Sequence, residues 1–476
     1  MRILKRCQLL LALLIALSSV ISDDSTAASL PPTVLTALKQ AAIPVSAVGV
    51  YVQEVASNQP LLSMNGEQPL NPASTMKLVT TDAALELMGP AATFSTQAFI
   101  RGERDGDQLL GDLILRGSGD PKLVIENLWL FLRRIRAQGI RSIRGNLLLD
   151  RSAFASMPGD SSQFDGDALK PYNALPDALL LNFKSLEVRF MPDARHGTVS
   201  VAFNPMLDGY TIQAPKLVAE PCGGDWRQNL TAIFEANAAR FDGSYAAACG
   251  ERFWQIHPYQ LSRNRYFELV FRQLWASLGG TLAGNVIDGV VAPDAVLLTQ
   301  WESAALPELI RDINKFSNNV MARQLFLALG TVGGNLPAST TLSRTAVTRW
   351  LTSNGIDASG LVLENGSGLS RIERISAATL GKILLNAFQS PTMPEFIASL
   401  PLLGYDGTMK KRLRTQDIAG HAHIKSGSLQ DVRSIAGYVL AESGRRYAVV
   451  FLINHINAAR GADAQDALLQ WVYRDH

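Results

Sequence analysis

The stretch LNPASTMKLVTTDAALELMG, residues 70–89, begins as a proline-punctuated loop and turns into a helix. Met76, Leu78, Val79, Ala83 and Leu87 recur at helical spacing and the pattern stops at Gly89-Pro90, which predicts an amphipathic helix with a defined end. Ser74 lies at its first turn and Lys77 three residues on, so the two side chains share a face. A free serine hydroxyl is a weak nucleophile and needs a base. A lysine amine can be that base when burial or a neighbouring cation depresses its pKa. The helix start adds unpaired N–H groups and the positive end of the dipole, which favour developing negative charge. At average composition Ser-x-x-Lys arises by chance about once or twice in such a chain; here it occurs once.

Upstream, VSAVGVYVQEVASNQPLLSMNGEQPLNPAS (45–74) alternates apolar residues around SNQ and NGE, as paired strands separated by turns do. Downstream, from about residue 91 to 255, the texture changes to short strand-like runs (STQAFIRG, GDLILRGSGD, GNLLLDRS, SLEVRF, TVSVAF) with one helical piece, IENLWLFLRRIRAQGI. Helical periodicity then returns, and the chain closes on HAHIKSGSL, RSIAGYVLA and YAVVFLIN before a last helix, AQDALLQWVYRD. Strands at both ends imply a sheet whose first and last segments meet. The expected division is 29–90 and 256–476 as one catalytic domain, with 91–255 as a mainly β insertion. A chain of 476 residues exceeds the roughly 250–300 that one core supports, which agrees with such a division.

Composition is that of a globular protein, 47% hydrophobic and 18% charged. The net charge is +2 with Lys and Arg scattered, which excludes a nucleic-acid footprint. Arg2, Lys5 and Arg6 precede an apolar run from Leu9 to Leu17 and small or polar residues through Ala28, the order of an export signal. That run is shorter than the ~20 residues a membrane span needs, so no stable transmembrane anchor is expected. Residues 1–28 are read as a signal peptide, cut after Ser22 or near Ala28, with Cys7 in its basic part. The remaining Cys222 and Cys249 are then a disulfide candidate in an oxidising compartment.

Two further motifs carry chemistry. KFSNN offers Ser317 and Asn319 ahead of an apolar helix. Its competitors read more simply: Ser63-Met64-Asn65 as a turn between strands, and Ser262 as the N-cap of the helix that follows. IKSGSL places Lys425, Ser426, Gly427 and Ser428 in a strand-like context, where a cation beside hydroxyls suits a carboxylate and a glycine permits close approach.

In this order the three motifs resemble the signature of the serine acyltransferases that include penicillin-binding proteins and β-lactamases. The long insertion between Ser74 and Ser317 is similar to that of class C low-molecular-mass penicillin-binding proteins, the D-alanyl-D-alanine carboxypeptidase/endopeptidase family. NPASTMKLVTT, GDLILRGSGDPKL, NKFSNN, LENGSGLSRIERIS and HIKSGSLQDVRSIAGYV look like the same family, so the resemblance spans the mature chain. It implies an α/β (α+β) transpeptidase-like fold, an antiparallel sheet with helices, carrying a large β-rich insertion. It implies Ser74 as nucleophile, Lys77 as base, Ser317 and Asn319 relaying a proton and positioning substrate, and Lys425 with Ser426 and Ser428 binding a terminal carboxylate. The oxyanion hole would be the N–H groups of Ser74 and Ser428. Ser426 stands where many relatives have threonine, which preserves the hydroxyl. Cys222 and Cys249 also sit where such proteins often carry a pair. The implied setting is periplasmic, with peptidoglycan stem peptides as substrates, β-lactam antibiotics as inhibitors, and no cofactor or metal. The rivals are a β-lactamase-like hydrolase and a catalytically silent peptidoglycan-binding protein.

Other features read more blandly. Asp150 ends a strand-like run; a substrate-facing carboxylate is the functional reading and a solvated strand-end residue the simpler one. GSGDP at Gly117 and NGSG at Asn365 lack phosphate-loop spacing and read as turns. His421 and His423 would share a strand face like metal ligands, but a surface or core pair is the plainer expectation.

Overall fold

The computed structural model describes residues 29–157 and 159–475, so the expected signal segment, with Cys7, lies outside the described residues. The apolar runs near the two ends of the chain pair with each other. Strand Val48–Glu54 lies antiparallel to Arg446–Asn454, with Val50 opposite Phe451 and Val52 opposite Val449. The sheet runs Ala422–Leu429, Val432–Leu440, Arg446–Asn454, Val48–Glu54, Leu62–Met64, antiparallel throughout. Alternate residues divide between its faces, as the period of two requires. Val449, Phe451 and Ile453 pack with the terminal helices Pro32–Gln40 and Ala462–Tyr473. Ala448, Val450 and Leu452 pack with Met76–Met88, Asn319–Ala328 and Ala377–Gln389. Each fully buried Val or Leu in these layers stabilises the fold by about 1.5–3 kcal/mol relative to exposure.

The helix Met76–Met88 is not amphipathic, because it runs between the sheet and other helices with Met76 to Leu85 all buried. Its threonines find internal partners instead. Thr80 Oγ1 donates to the Gly366 carbonyl at 2.7 Å and Thr81 Oγ1 to that of Lys77 at 2.8 Å. Burial, with the nearby Glu86, drives the Asp82 carboxyl well above its usual pKa.

A seven-stranded sheet forms the base of the insertion. Ser95–Asp105 and Gln108–Gly117 make a hairpin, joined on one side by Val296–Glu302 and on the other by Leu147–Asp150 and Val286–Asp288. This unit therefore continues to Glu302, and the boundary expected at residue 255 cuts through it. Helix Arg263–Ser277, capped by Ser262 through Arg265 N at 3.0 Å as expected, packs Phe267, Phe271 and Trp275 into the same apolar cluster as Leu113 and Phe190. Periodicity reports which element a segment forms and not the layer it packs into, so a change from strand to helix texture was mistaken for a change of unit.

Cys222 and Cys249 are bonded, closing 27 positions of chain. They join a cluster in which Phe190 stacks on Tyr245 at 5.5 Å. Among the described residues no helix is long and apolar enough to cross a membrane. Replacing both cysteines by serine is expected to lower unfolding free energy by about 2–4 kcal/mol, from the lost constraint on the unfolded chain. A guanidinium melt of the variant that overlays the oxidised wild type would contradict this.

Candidate active site

Ser74 sits on a one-turn 3-10 helix, Ala73–Thr75, that leads into Met76–Met88. The turn is held from several sides. Asn71 Oδ1 accepts from Ala73 N at 2.9 Å, and Thr75 Oγ1 and Ser434 Oγ both donate to the Pro72 carbonyl, at 2.8 and 2.5 Å. Asn454, at the end of a central strand, exchanges two bonds with the backbone of Asn71, at 2.7 and 2.9 Å. Ala73 lies in the left-handed region at φ 45°, a strained setting that the surrounding bonds impose. From residue 71 to 85 Ser74 is the one position that is not buried. The nucleophile candidate is thus the single accessible point of an otherwise enclosed segment.

Lys77 is fully buried, and its amine meets three neutral oxygens: Ser74 Oγ at 3.0 Å, Asn319 Oδ1 at 2.5 Å and the Ser367 carbonyl. The amide and carbonyl oxygens can only accept. A neutral amine has two N–H bonds for them and one lone pair left for the serine hydroxyl, which is the arrangement of a base. Burial is the main force depressing the Lys77 pKa well below its usual value; the neighbouring Lys425 adds to this, Glu373 opposes it and Arg323 reinforces it.

Ser317 and Asn319 reach the cleft from the start of helix Asn319–Ala328. Asn318 caps that helix, accepting from Met321 N at 3.0 Å. Ser317, just outside it, has φ 56°, and its hydroxyl sits beside Lys425. That hydroxyl accepts from Lys425 Nζ at 2.9 Å, and the same amine donates to the Ser426 carbonyl at 2.7 Å. Lys425 is fully buried, and desolvation lowers its pKa to about 7. Strand Ala422–Leu429 lies at the edge of the five-stranded sheet. A side chain at Gly427 would come within 2.7 Å of Ser74 N, so only glycine lets this strand pass Ser74. Ser428 is exposed on the same strand. The fold thus brings Ser74, Lys77, Ser317, Asn319, Lys425 and Gly427 together around one cleft.

Three groups at this site escaped sequence reasoning. Thr408 Oγ1 lies 2.8 Å from Ser426 Oγ and extends the row of hydroxyls beside Lys425. Ser367 contributes through its carbonyl, and a backbone atom has no residue signature. Glu373 lies behind that carbonyl. The available signal was NGSG, read as a turn: Gly366 and Gly368 have φ of 68° and 78°, and a Cβ at Gly368 would lie 1.8 Å from the Ala73 carbonyl oxygen.

Two readings outside the cleft change. Asp150 is neither solvated nor substrate-facing: it is fully buried and accepts from Ser152 N at 2.9 Å and Val291 N at 2.8 Å, because the chain after Val286–Asp288 folds over it. His421 precedes the strand and packs on the Tyr473 ring at 5.3 Å, while His423 lies within it.

The D-Ala-D-Ala carboxypeptidase 3 (S13) family matches residues 32–474. The D-alanyl-D-alanine carboxypeptidase of Actinomadura sp. (strain R39) is 30% identical over 415 residues, covering 83% of this chain and 76% of that protein. D-alanyl-D-alanine carboxypeptidase DacB of Haemophilus influenzae is 27% identical over 417 residues, covering 86% and 85%. The crystal structure of penicillin binding protein 4 (dacB) from Haemophilus influenzae has a TM-score of 0.78 at 23% identity, covering 92% of this chain and 99% of that one. Its complex with a novel β-lactam has a TM-score of 0.75. These likenesses show that the fold is the expected α/β one.

The buried Lys425 has a consequence for stability. Unfolded, its amine holds a proton up to about 10.5; folded, it releases that proton near 7. Between these values the unfolded chain binds more protons, so stability from this group rises with pH, and below about 7 the penalty is complete. Lys425→Met is expected to raise the thermal midpoint at pH 6, with the difference shrinking toward pH 10. A midpoint at or below wild type at pH 6 would contradict this.

Proposed function

The chain belongs to the D-Ala-D-Ala carboxypeptidase 3 (S13) family of serine peptidases, and from that premise we propose that it is exported and cleaves peptidoglycan peptides ending in D-Ala-D-Ala through an acyl-serine intermediate. The observation that carries this reading is the buried Lys77 amine, 3.0 Å from Ser74 Oγ with its two N–H bonds committed elsewhere. Neutral Lys77 takes the Ser74 proton as Oγ attacks the carbonyl between the two D-alanines. The resulting oxyanion faces the N–H groups of Ser74 and Ser428. The C–N bond then breaks, and Ser317, held by Lys425, passes a proton to the departing D-alanine amine and regains one from the Lys77 ammonium, which leaves Lys77 neutral again. Lys425 and the hydroxyls of Ser426 and Ser428 hold the terminal carboxylate, whose charge favours the protonated amine. Water then attacks the acyl carbonyl, giving a proton to neutral Lys77, which returns it to Ser74 Oγ as the ester bond breaks.

A β-lactam presents a strained amide to the same hydroxyl, and its opened ring keeps the leaving nitrogen tethered, which supports inhibition by penicillin. The β-lactam complex of the Haemophilus protein agrees with this reading. The charged-then-apolar amino terminus supports export. Cross-linked peptides carry the same D-Ala carbonyl, so endopeptidase action follows from the same chemistry.

Two measurements test this. Ser74→Ala should abolish the covalent adduct with fluorescent penicillin while the thermal midpoint stays near wild type; an adduct retained by mass spectrometry would rule Ser74 out. The mature protein incubated with muropeptide monomers and cross-linked dimers should release D-alanine from the first and monomers from the second. Rapid turnover of penicillin without a lasting adduct would favour a β-lactamase, and neither adduct nor product would favour a silent binder.

A further inference from the structure

We infer that Glu373 is a positioning residue for acylation: it folds residues 364–368 around its carboxylate so that the Ser367 carbonyl is held on the Lys77 amine. The inference rests on the reading of Lys77 as the base. Glu373 is fully buried, and backbone N–H groups surround it. Oε1 accepts from the N–H groups of Glu364, Asn365 and Gly366 at 3.1, 2.9 and 2.8 Å, and Oε2 from that of Gly368 at 2.9 Å. With its N–H groups turned toward the carboxylate, the segment turns its carbonyls toward the nucleophile helix. Gly366 O accepts from Thr80 Oγ1 at 2.7 Å, and Ser367 O accepts from Lys77. Gly368 meanwhile presses on the Ala73 carbonyl beside Ser74. One carboxylate therefore shapes both the acceptor behind the base and the wall behind the nucleophile.

An amide cannot replace it. Glutamine would set an NH2 donor against backbone donors on one side, and only a carboxylate accepts from all four. The charge also reaches the base. The ionisable groups acting on Lys77 are Lys425 from the edge strand, Arg323 from helix Asn319–Ala328, and Glu373 from this loop, of which Glu373 alone is negative. Around Glu373 itself stand Glu364 and Arg323.

The test uses Glu373→Gln and Glu373→Asp in the mature protein, reading the second-order rate of acylation by fluorescent penicillin against pH and the thermal midpoint. Glu373→Gln is expected to lower the rate about tenfold or more. It should also move the ascending limb about half a pH unit or more toward acid, since losing a negative neighbour makes Lys77 easier to deprotonate. Glu373→Asp keeps the charge and shortens the reach, so its limb should stay at the wild-type pH while the rate falls several-fold. A purely structural role would lower rate and midpoint together with neither limb displaced, and that result would overturn the inference, as would acylation within twofold of wild type in both variants. Should Glu373→Gln not fold, Glu373→Asp decides alone: a lowered rate on an unmoved limb with the thermal midpoint near wild type supports the inference, and an unchanged rate, a displaced limb, or a rate and midpoint lowered together overturns it. Wild type that forms no adduct at Ser74 would instead overturn the reading of Lys77 on which this rests.

Discussion

A lysine amine removed from water and faced only by neutral oxygens is the constraint on which this site depends. A buried ammonium without a carboxylate against it costs several kcal/mol, so burial pushes the pKa of the group well down. That requires the whole turn of helix around Lys77 to be enclosed, and Met76 to Leu85 are buried without exception. The enclosure explains why Thr80 and Thr81 lie inside with bonds to the loop at Gly366 and to the helix's own backbone. Ser74 remains reachable because the turn that bears it stands just ahead of the helix.

The sheet supplies the second half of the arrangement. Pairing of Val48–Glu54 with Arg446–Asn454 brings the beginning and end of the chain together, and Asn454 then grips Asn71 at the entrance to the nucleophile turn. Two strands away, Gly427 slides past Ser74 N. The seven-stranded sheet of the inserted unit lies within residues 95–302, while the five-stranded sheet and helix Met76–Met88 that hold the site come from the chain on either side of it.

Legibility followed the kind of group involved. Ser74, Lys77, Ser317, Asn319 and Lys425 meet through side chains that belong to short fixed spacings, and such patterns survive in a linear text. Ser262 was read as a cap because capping is local, and Cys222 with Cys249 because an even pair in a chain expected to be exported has few alternatives. The Ser367 carbonyl left no trace, since any residue supplies a carbonyl, and Glu373 acts on backbone that is itself unmarked. Asp150 was misread because its surroundings come from a segment some 140 positions later.

By itself the sequence determined the elements, the closing of the sheet by its own ends, and the chemical identity of the three motifs, because these depend on local periodicity and residue type. Only the tertiary structure decided which helix is enclosed on all sides, where the inserted unit ends, and that Lys77 is stripped of water against Asn319 and Ser367. Those outcomes are set by burial, a property of what surrounds a residue in space, and burial is what holds the pKa of Lys77 well below that of an ordinary lysine.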